Sequence, residues 1–176
     1  MERVVARFEK VSYEEFKKSW IEVNPLDNEE IIKEIYDNIK LPTRSTKRSS
    51  GYDFYCPDTR PVYVRVGQSK LIPTGIRCVF LKDRYDLTIY PRSGMGFKYR
   101  AHLDSTVGII DNDYYEAYNE GHIKIKISCD PRDSDCMIIN PGDRYAQGII
   151  REFFLAEGDD EVEKEDRRGG IGHTGK

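Results

Sequence analysis

The fold is decided by stretches such as Leu87-Thr88-Ile89-Tyr90-Pro91-Arg92-Ser93-Gly94, in which a short apolar run ends at proline and glycine turn signals. Similar runs, each bounded by turn residues, recur from Leu41 onward at 62–66, 78–81, 123–127 and 146–154. Many short strands separated by turns are typical of antiparallel barrels and jelly rolls. The sequence therefore predicts a mainly β fold of this kind.

The first 40 residues have a different pattern. Residues 4–8 alternate and predict a strand. Ser12-Tyr13-Glu14-Glu15 has capping-box spacing and predicts a helix that buries Phe16 and Trp20. A second helix should begin at Asp27 or Asn28, with an apolar stripe formed by Ile31, Ile32, Ile35, Tyr36 and Ile39. We expect this helical insertion, residues 12–40, to pack on the barrel rather than serve as a partner surface.

The C-terminal segment differs again. We expect a barrel domain over residues 1–155, followed at 156–176 by an acidic linker and a flexible glycine-rich arm. The arm, Arg167-Arg168-Gly169-Gly170-Ile171-Gly172-His173-Thr174-Gly175-Lys176, offers consecutive backbone N–H groups and arginines. Such a segment can wrap an anion, and a polyphosphate fits it best. The alternative is a solvated chain end.

Composition narrows the function classes. The chain has 176 residues and a net charge of −3, so it offers no basic field for nucleic acid. We find neither an apolar run long enough for a membrane span nor a signal-peptide pattern, and we expect a cytoplasmic protein. The four cysteines match no paired zinc spacing and are expected to be reduced thiols.

Five segments share an order and spacing that carry a resemblance. They are 41–44 with 50–53, then 90–94, 107–114, 141–147 and the glycine-rich arm. Together they resemble the five motifs of the homotrimeric dUTP pyrophosphatases (dUTPases), most closely a Gram-positive bacterial or phage branch. The resemblance runs from about Leu41 to the C-terminus. It implies a distorted jelly-roll β-barrel that hydrolyses dUTP to dUMP and pyrophosphate with Mg²⁺, which keeps uracil out of DNA and supplies dUMP for dTMP synthesis.

The resemblance gives Asp111 the catalytic role, as the carboxylate that orients and activates the attacking water. A carboxylate can act as a general base only when it lies within hydrogen-bond reach of that water. By itself, the run Asp111-Asn112-Asp113 is more typical of a capped turn. The other four motifs reverse that preference.

The same motifs imply how the nucleoside is bound. The ring of Tyr114 would lie under the deoxyribose and leave no room for a 2′-hydroxyl group. Main-chain groups of Gly108, Ile109 and Ile110 would bind the uracil edge. Ser105 stands where the family usually has an asparagine that helps to bind the base, so this contact is open.

The phosphates would be bound by the remaining motifs. Asp53 would meet Mg²⁺ through water, as a hard ion that keeps its waters requires. Asp143 and Arg144 are expected to form a local structural ion pair. The residues expected to hold phosphate oxygens are Arg92, Ser93, Gly94, Gln147, Gly170 and either Arg167 or Arg168.

The chain departs from the family in the residue that covers the base. Ile171 occupies the place of an aromatic ring that stacks on uracil when the arm closes. We hypothesise that a ring from the middle of the chain takes over, either Phe97 or Tyr99. Loop length favours Tyr99. His173 in turn replaces a common serine, where it would contact phosphate or be exposed.

A second departure lies between Tyr114 and Gly121, where six residues stand in place of one. The longer hairpin would let Tyr115 or Tyr118 cover the pocket or contact a neighbouring subunit. The family shares each site among three chains, so a monomer should be inactive.

Two other functions fit parts of the pattern. A dCTP deaminase shares the fold and a similar substrate, although the intact Asp111 segment and the arm favour the pyrophosphatase. A regulatory protein built on this scaffold could instead capture a protein partner through residues 12–40 or 115–121.

Overall fold

The computed structural model describes residues 4–161, 163, 164 and 169, and within these residues the chain forms twelve β-strands and three α-helices. The strands are β1 (Ala6–Lys10), β2 (Thr43–Arg44), β3 (Gly51–Tyr55), β4 (Val62–Arg65), β5 (Ser69–Pro73), β6 (Ile76–Phe80), β7 (Tyr85–Pro91), β8 (His102–Leu103), β9 (Gly108–Ile110), β10 (Lys124–Ser128), β11 (Cys136–Ile139) and β12 (Arg144–Glu152). The helices are α1 (Tyr13–Val23), α2 (Glu29–Asp37) and α3 (Ser93–Tyr99).

The strands pair antiparallel in four sheets. The largest has the order β2-β3-β12-β7-β9, a second has the order β5-β10-β8, and two-stranded sheets join β1 with β6 and β4 with β11. Most of these neighbours are distant in sequence, as a jelly roll requires. The prediction of a mainly β, jelly-roll-like barrel is confirmed.

The pattern of buried and exposed side chains along the strands shows where the hydrophobic core lies. In β10, Ile125 and Ile127 are buried, while the side chain of Lys126 between them is exposed. In β7, by contrast, Leu87, Thr88 and Ile89 are all buried. The middle strands of the largest sheet are therefore covered on both faces, and only their ends are free to form a site.

The helical insertion packs directly on the barrel. Phe16 and Trp20 of α1 and Ile32 and Ile35 of α2 are buried, and the Phe16 and Trp20 rings lie 5.4 Å apart. Gly75 marks the contact, because a Cβ built there would lie 2.3 Å from Ile39 Cδ1. None of the helices that the structure describes is long and apolar enough to cross a bilayer.

The capping box at the start of α1 is only half formed. The Glu15 N–H donates to Ser12 Oγ (3.2 Å), as expected. The predicted reciprocal bond, from the Ser12 N–H to the Glu15 carboxylate, is not formed. The Ser12 N–H donates to Glu120 Oε2 instead (2.7 Å). Glu15 turns away, and its Oε1 accepts from Ser19 Oγ (2.9 Å). A carboxylate from the barrel thus completes the cap.

Some elements lie outside the sequence prediction. The first strand begins at Ala6, two residues later than expected. Strands β5 and β11 lie in turn-rich stretches, and β11 forms because it pairs with β4 across a long separation in sequence. Helix α3 contains Gly94 and Gly96, which disfavour helices, so propensity gives no signal for it.

Candidate functional site

Three sequence motifs meet where the middle strands of the largest sheet end. Gln147 in β12 is paired with Asp53 in β3 on one side and with Tyr90 in β7 on the other. Arg92 follows β7 directly. We call the group formed by Ser45, Asp53, Arg92, Arg144 and Gln147 the strand-end cluster.

Asp53 is the centre of this cluster. Its side chain is almost fully buried, and Oδ2 accepts hydrogen bonds from Ser45 Oγ (2.5 Å) and Arg144 Nη1 (3.4 Å). Arg92 Nε lies 3.3 Å from Oδ1. A buried carboxylate needs such partners, because an unpaired buried charge is costly. The cluster places two guanidinium groups, those of Arg92 and Arg144, around one carboxylate, so its net charge is positive.

The expected ion pair between Asp143 and Arg144 is wrong. Asp143 Oδ2 accepts from the backbone N–H (2.8 Å) and Nδ2 (3.1 Å) of Asn140 and closes a turn. A bulge in β12 between Arg144 and Ala146 changes the register, and Arg144 reaches Asp53 and Ser45 Oγ instead (2.9 Å to the latter). Sequence reasoning missed Arg144 and Ser45 as members of the cluster, because nothing local links them to Asp53.

Gln147 is held in place by the backbone around it. Its Nε2 donates to the Pro91 carbonyl (3.3 Å). A Cβ built on Gly51 would lie 2.5 Å from Gln147 Oε1, so a larger residue there would make the end of this amide shift. The side chain is thereby held at Pro91, next to Arg92 in the chain.

Ser93 and Gly94 form the exposed start of α3. A Cβ built on Gly94 would meet nothing within 4 Å, so the packing of this chain does not require glycine there. The small residue instead leaves the surface next to Arg92 open to a ligand.

The 108–122 hairpin consists of β9, the turn that follows it and the loop that ends at His122. Strand β9 pairs with β7, with Ile110 opposite Leu87, and Asp111 follows with an exposed side chain. Asn112 Nδ2 donates to the carbonyls of Lys82 and Tyr85, both at 3.0 Å. These bonds tie the turn that carries Asp111 to the barrel.

Tyr114 lies inside the hairpin. Its ring is buried, its Oη donates to the His122 carbonyl (3.2 Å), and it accepts from Asn119 Nδ2 (2.9 Å). Ile109 is 60 % exposed. Ser105 is also exposed, in the loop before β9.

The histidine that closes the hairpin is neutral. The Gly75 N–H donates to His122 Nε2 (2.9 Å), which requires a lone pair on that nitrogen. Nδ1 lies 3.2 Å from both Glu15 Oε1 and Ser19 Oγ. Burial, and to a lesser degree the charge of Lys124, lower the pKa of His122 to about 3. The nearby Glu15 carboxylate would favour the charged ring, but burial and the Gly75 bond outweigh it.

Within one chain, Asp111 and the strand-end cluster stay apart. They lie toward opposite ends of β7, because Ile110 pairs with Leu87 while Arg92 follows Pro91. Arg92 lies five positions after Leu87, which corresponds to about 16 Å of backbone at the usual rise per residue. The sheet therefore holds the two groups well apart within one chain.

Two aromatic residues were candidates to cover a base. Tyr99 is half-buried, packs against the core and has Lys98 Nζ 4.8 Å from its ring centre. Phe97 is 90 % exposed on α3. A cavity of about 450 Å³ opens beside it, and its lining residues are Gly96, Phe97, Lys98, Arg100, Arg132 and Asp133. Phe97 is thus the more accessible of the two rings.

Another cavity, of about 630 Å³, lies between the α1–α2 loop and strands β4 and β5. Its walls include Trp20, Leu26 and Tyr63, and it is remote from both groups described above.

The C-terminal arm is mostly outside the described residues. Arg167, Arg168, Gly170, Ile171 and His173 all lie there. Gly169, which is described, is buried.

The described residues contain no cluster of three or more His, Cys, Asp or Glu side chains that could hold a metal ion. Asp53 is the residue that the motifs assign to Mg²⁺. A carboxylate has about four acceptor positions, and the three groups around Asp53 leave room for one further donor, such as a metal-bound water. The residues fit an ion that is held chiefly by its ligand's phosphates.

Comparison with known proteins agrees with the motifs. The family model for dUTPase matches residues 37–175. The deoxyuridine 5′-triphosphate nucleotidohydrolase of Lactococcus lactis is 39 % identical over 138 residues, which cover 78 % of this chain and 89 % of the relative.

Solved structures show the same fold. The dUTPase of Streptococcus mutans superposes with a TM-score of 0.59 at 26 % identity, covering 86 % of this chain and 98 % of that one. An aspartate-to-asparagine mutant of the dUTPase from phage phi11 of Staphylococcus aureus, which coordinates a structural Mg(II) ion, has a TM-score of 0.55 at 21 % identity, with 74 % and 92 % covered.

Proposed function

The chain belongs to the dUTPase family, whose members hydrolyse dUTP to dUMP, and we propose that it does so by attack of an Asp111-activated water on the α-phosphate, in a site shared between subunits. The observation that carries the proposal is the separation of Asp111 from the strand-end cluster along β7. Both groups are built, yet one chain cannot close them on one substrate. A neighbouring copy in a homotrimer supplies the missing half.

Asp111 is suited to the role of general base. Its side chain is exposed next to a rigid strand, and the turn that carries it is tethered through Asn112. Preorganisation of this kind keeps a carboxylate within reach of a bound water without reorganisation during the reaction. The water loses its proton to Asp111 as its oxygen attacks phosphorus and pyrophosphate leaves.

The strand-end cluster would hold the phosphates. Arg92 and Arg144 outnumber the single carboxylate of Asp53, and the net positive charge attracts a triphosphate. Gln147 uses one N–H on Pro91 and has a second N–H for a phosphate oxygen. Ser93 and Gly94 let the oxygens approach the backbone. An arginine of the arm, Arg167 or Arg168, would close on the γ-phosphate.

Mg²⁺ would be bound through water by Asp53 and directly by phosphate oxygens, where it neutralises charge on the triphosphate. The carboxylate is already oriented by Ser45 and Arg144, so its remaining lone pairs have a fixed direction.

The nucleoside would lie on the hairpin of the neighbouring subunit. Backbone groups of Gly108, Ile109 and Ile110 would bind uracil, and Ile109 is exposed as this requires. Tyr114 would exclude the 2′-hydroxyl group, with its ring position fixed by His122 and Asn119. Ser105 would supply a smaller polar group where the family has asparagine.

Phe97 would cover the uracil in place of the aromatic residue that Ile171 replaces. It is exposed, follows the phosphate-binding turn and borders a cavity with cationic walls. A base stacked on an aromatic side chain gains about 1–3 kcal/mol.

The test measures pyrophosphate release from dUTP, UTP, dTTP and dCTP with Mg²⁺. We expect selective cleavage of dUTP and a loss of at least roughly 100-fold in Asp111→Asn. Asp135→Asn is the matched control, because Asp135 is an exposed aspartate just before β11, which lies in a different sheet from both groups. Equal loss in both variants, or ammonia release from dCTP without pyrophosphate release from dUTP, would contradict the proposal.

A further inference from the structure

Helix α1 contacts the 108–122 hairpin at its capping residue. The Ser12 N–H donates to Glu120 Oε2 at 2.7 Å, and Ser12 Oγ donates to Glu120 Oε1. Both oxygens of one carboxylate are thus used on one residue of the helix start. These bonds join residues 108 positions apart.

A second contact lies one turn further along α1. His122 is fully buried between Gly75 of the barrel and the side chains of Glu15 and Ser19. Its two ring nitrogens face different elements, so the ring bridges the barrel and the helix. The Phe16 ring lies against it with centroids 6.3 Å apart.

The end of the hairpin between these contacts has an unusual backbone. Glu120 has φ of 56°, which is uncommon for a residue with a side chain, and Gly121 has φ of 71°. A Cβ on Gly121 would lie 2.5 Å from Tyr115 Cα. Such a conformation persists only where the surroundings fix it, and here the surroundings include α1.

The same hairpin holds the nucleoside-binding and catalytic residues. The carbonyl of His122 accepts from Tyr114 Oη, and the Tyr114 N–H donates to the Asp111 carbonyl (3.1 Å). Displacement of Glu120 or His122 would therefore be passed on to the ring of Tyr114 and to the turn at Asp111.

We propose that helix α1 is a brace for the 108–122 hairpin, with Glu120 and His122 as positioning residues that hold Tyr114 and Asp111 in place for the substrate. The inference rests on the proposed function for its kinetic consequence. Its structural part stands on the contacts alone. The helical insertion then serves the reaction although it carries no group that touches substrate.

Ser12→Asp tests the brace without uncapping the helix, because aspartate is as good an N-cap as serine. The new carboxylate would face that of Glu120 and repel it. We expect amide hydrogen exchange of residues 111–122 to accelerate about tenfold, while exchange in the middle strands of the largest sheet stays unchanged. Adding Glu120→Gln removes the repulsion and should restore slow exchange.

Glu14→Ala is the matched control, since it removes an exposed carboxylate from the same turn of α1. Unchanged hairpin exchange in Ser12→Asp relative to this control would overturn the proposal. So would acceleration that Glu120→Gln does not reverse.

A second pair of variants decides the matter if Ser12→Asp loses global stability. Glu120→Ala removes both bonds to Ser12, and His122→Asn removes the ring that bridges barrel and helix. We expect faster hairpin exchange in both variants. A hairpin as protected in both as in the parent chain would contradict the positioning role.

Kinetics give the second readout. In Ser12→Asp we expect kcat/KM for dUTP to fall about tenfold, mainly through kcat, with recovery in the double variant. If the parent chain failed to cleave dUTP, the proposed function would fail, while hydrogen exchange would still decide whether α1 is a brace.

Discussion

The strand-end cluster and the 108–122 hairpin are both attached to β7, but they are built by different means. The cluster lies on three paired strands whose register places Asp53 beside Gln147. The hairpin depends on turns, a left-handed glycine and contacts with a helix. The register of the sheet fixes the strand-end cluster, whereas the hairpin depends on contacts with residues outside it.

This difference predicts how substitutions will affect the two half-sites, by which we mean the strand-end cluster and the hairpin. A cluster that rests on backbone pairing should tolerate substitutions around it, provided that the charges stay balanced. A hairpin that rests on a few side-chain contacts should lose order before the barrel does.

The largest effect should come from joining half-sites of different chains. Arg92→Ala damages the cluster and Asp111→Asn damages the hairpin, so each variant should be inactive when purified alone. Co-expressed in equal amounts, they should regain about a quarter of the parent activity, since random assembly leaves about one site in four with both halves intact. Pyrophosphate release measures this.

The control pairs two defects in the same half-site. Asp111→Asn with Tyr114→Ala should give no recovery, because every hairpin is then defective. Recovery in this pair, or none in the first, would contradict a shared site.

Gly67 and Gly121 both have positive φ, but only Gly121 lies in the hairpin. Substituting each in turn distinguishes the cost of backbone strain from the cost of crowding. Gly67→Ala meets nothing within 4 Å and should cost about 1 kcal/mol of unfolding free energy. Gly121→Ala would also press on the backbone at Tyr115 and should cost about 3 kcal/mol or more. Urea unfolding compares the two, and equal losses would show that the hairpin is not tightly closed.

Acid should lower the free energy of unfolding through His122. Burial lowers the pKa of His122 to about 3 in the folded chain. Below about pH 6.5 the imidazole therefore binds a proton in the unfolded chain but stays neutral in the folded chain. Stability is therefore full above about pH 6.5 and declines as pH falls toward 3. Between about pH 7 and 5 the loss should be about 2 kcal/mol.

Urea midpoints at about pH 7, 6 and 5 test this linkage. His122→Asn should flatten the dependence of the midpoint on pH. Asp104, whose pKa is lowered to about 2 by its bonds to Ser128 and Ser69, stabilises the fold fully above about pH 4 and loses this contribution only below it, so it leaves the slope between about pH 7 and 5 unchanged. An identical slope in parent and His122→Asn would refute the assignment.

The smallest effect concerns Phe97, the ring that we propose covers the base. Phe97→Ala should lower kcat/KM for dUTP about tenfold without changing stability, because its ring is exposed. Tyr99→Ala should instead lower stability, since Tyr99 packs against the core. A loss of kcat/KM in Tyr99→Ala but not in Phe97→Ala would show that Tyr99 covers the base, as loop length suggests.

Local signals predicted much of the fold. Ser12 and Asn28 cap the two helices as their spacing indicates, and most apolar runs between turns became strands. Helix α3 was not predicted, because its glycines lower helix propensity and its N-cap residue, Arg92, makes no side-chain capping bond.

Contacts across the sheet were beyond prediction. Arg144 reaches Asp53 over 91 residues of sequence, because a bulge shifts β12 against β3. The capping carboxylate of Ser12 comes from Glu120 rather than from the nearby Glu15. In both cases the local partner was a reasonable choice, and the tertiary structure supplied a different one.

The link between Ser12 and Glu120 also bears on how far the chain can be shortened. The dUTPase family model begins to match at residue 37, near the end of α2. A chain cut back to the matched residues would keep Glu120 and Gly121 but lose the helix start to which Glu120 is bonded. We expect such a chain to have a less ordered hairpin, because the contacts that hold it lie outside the matched region.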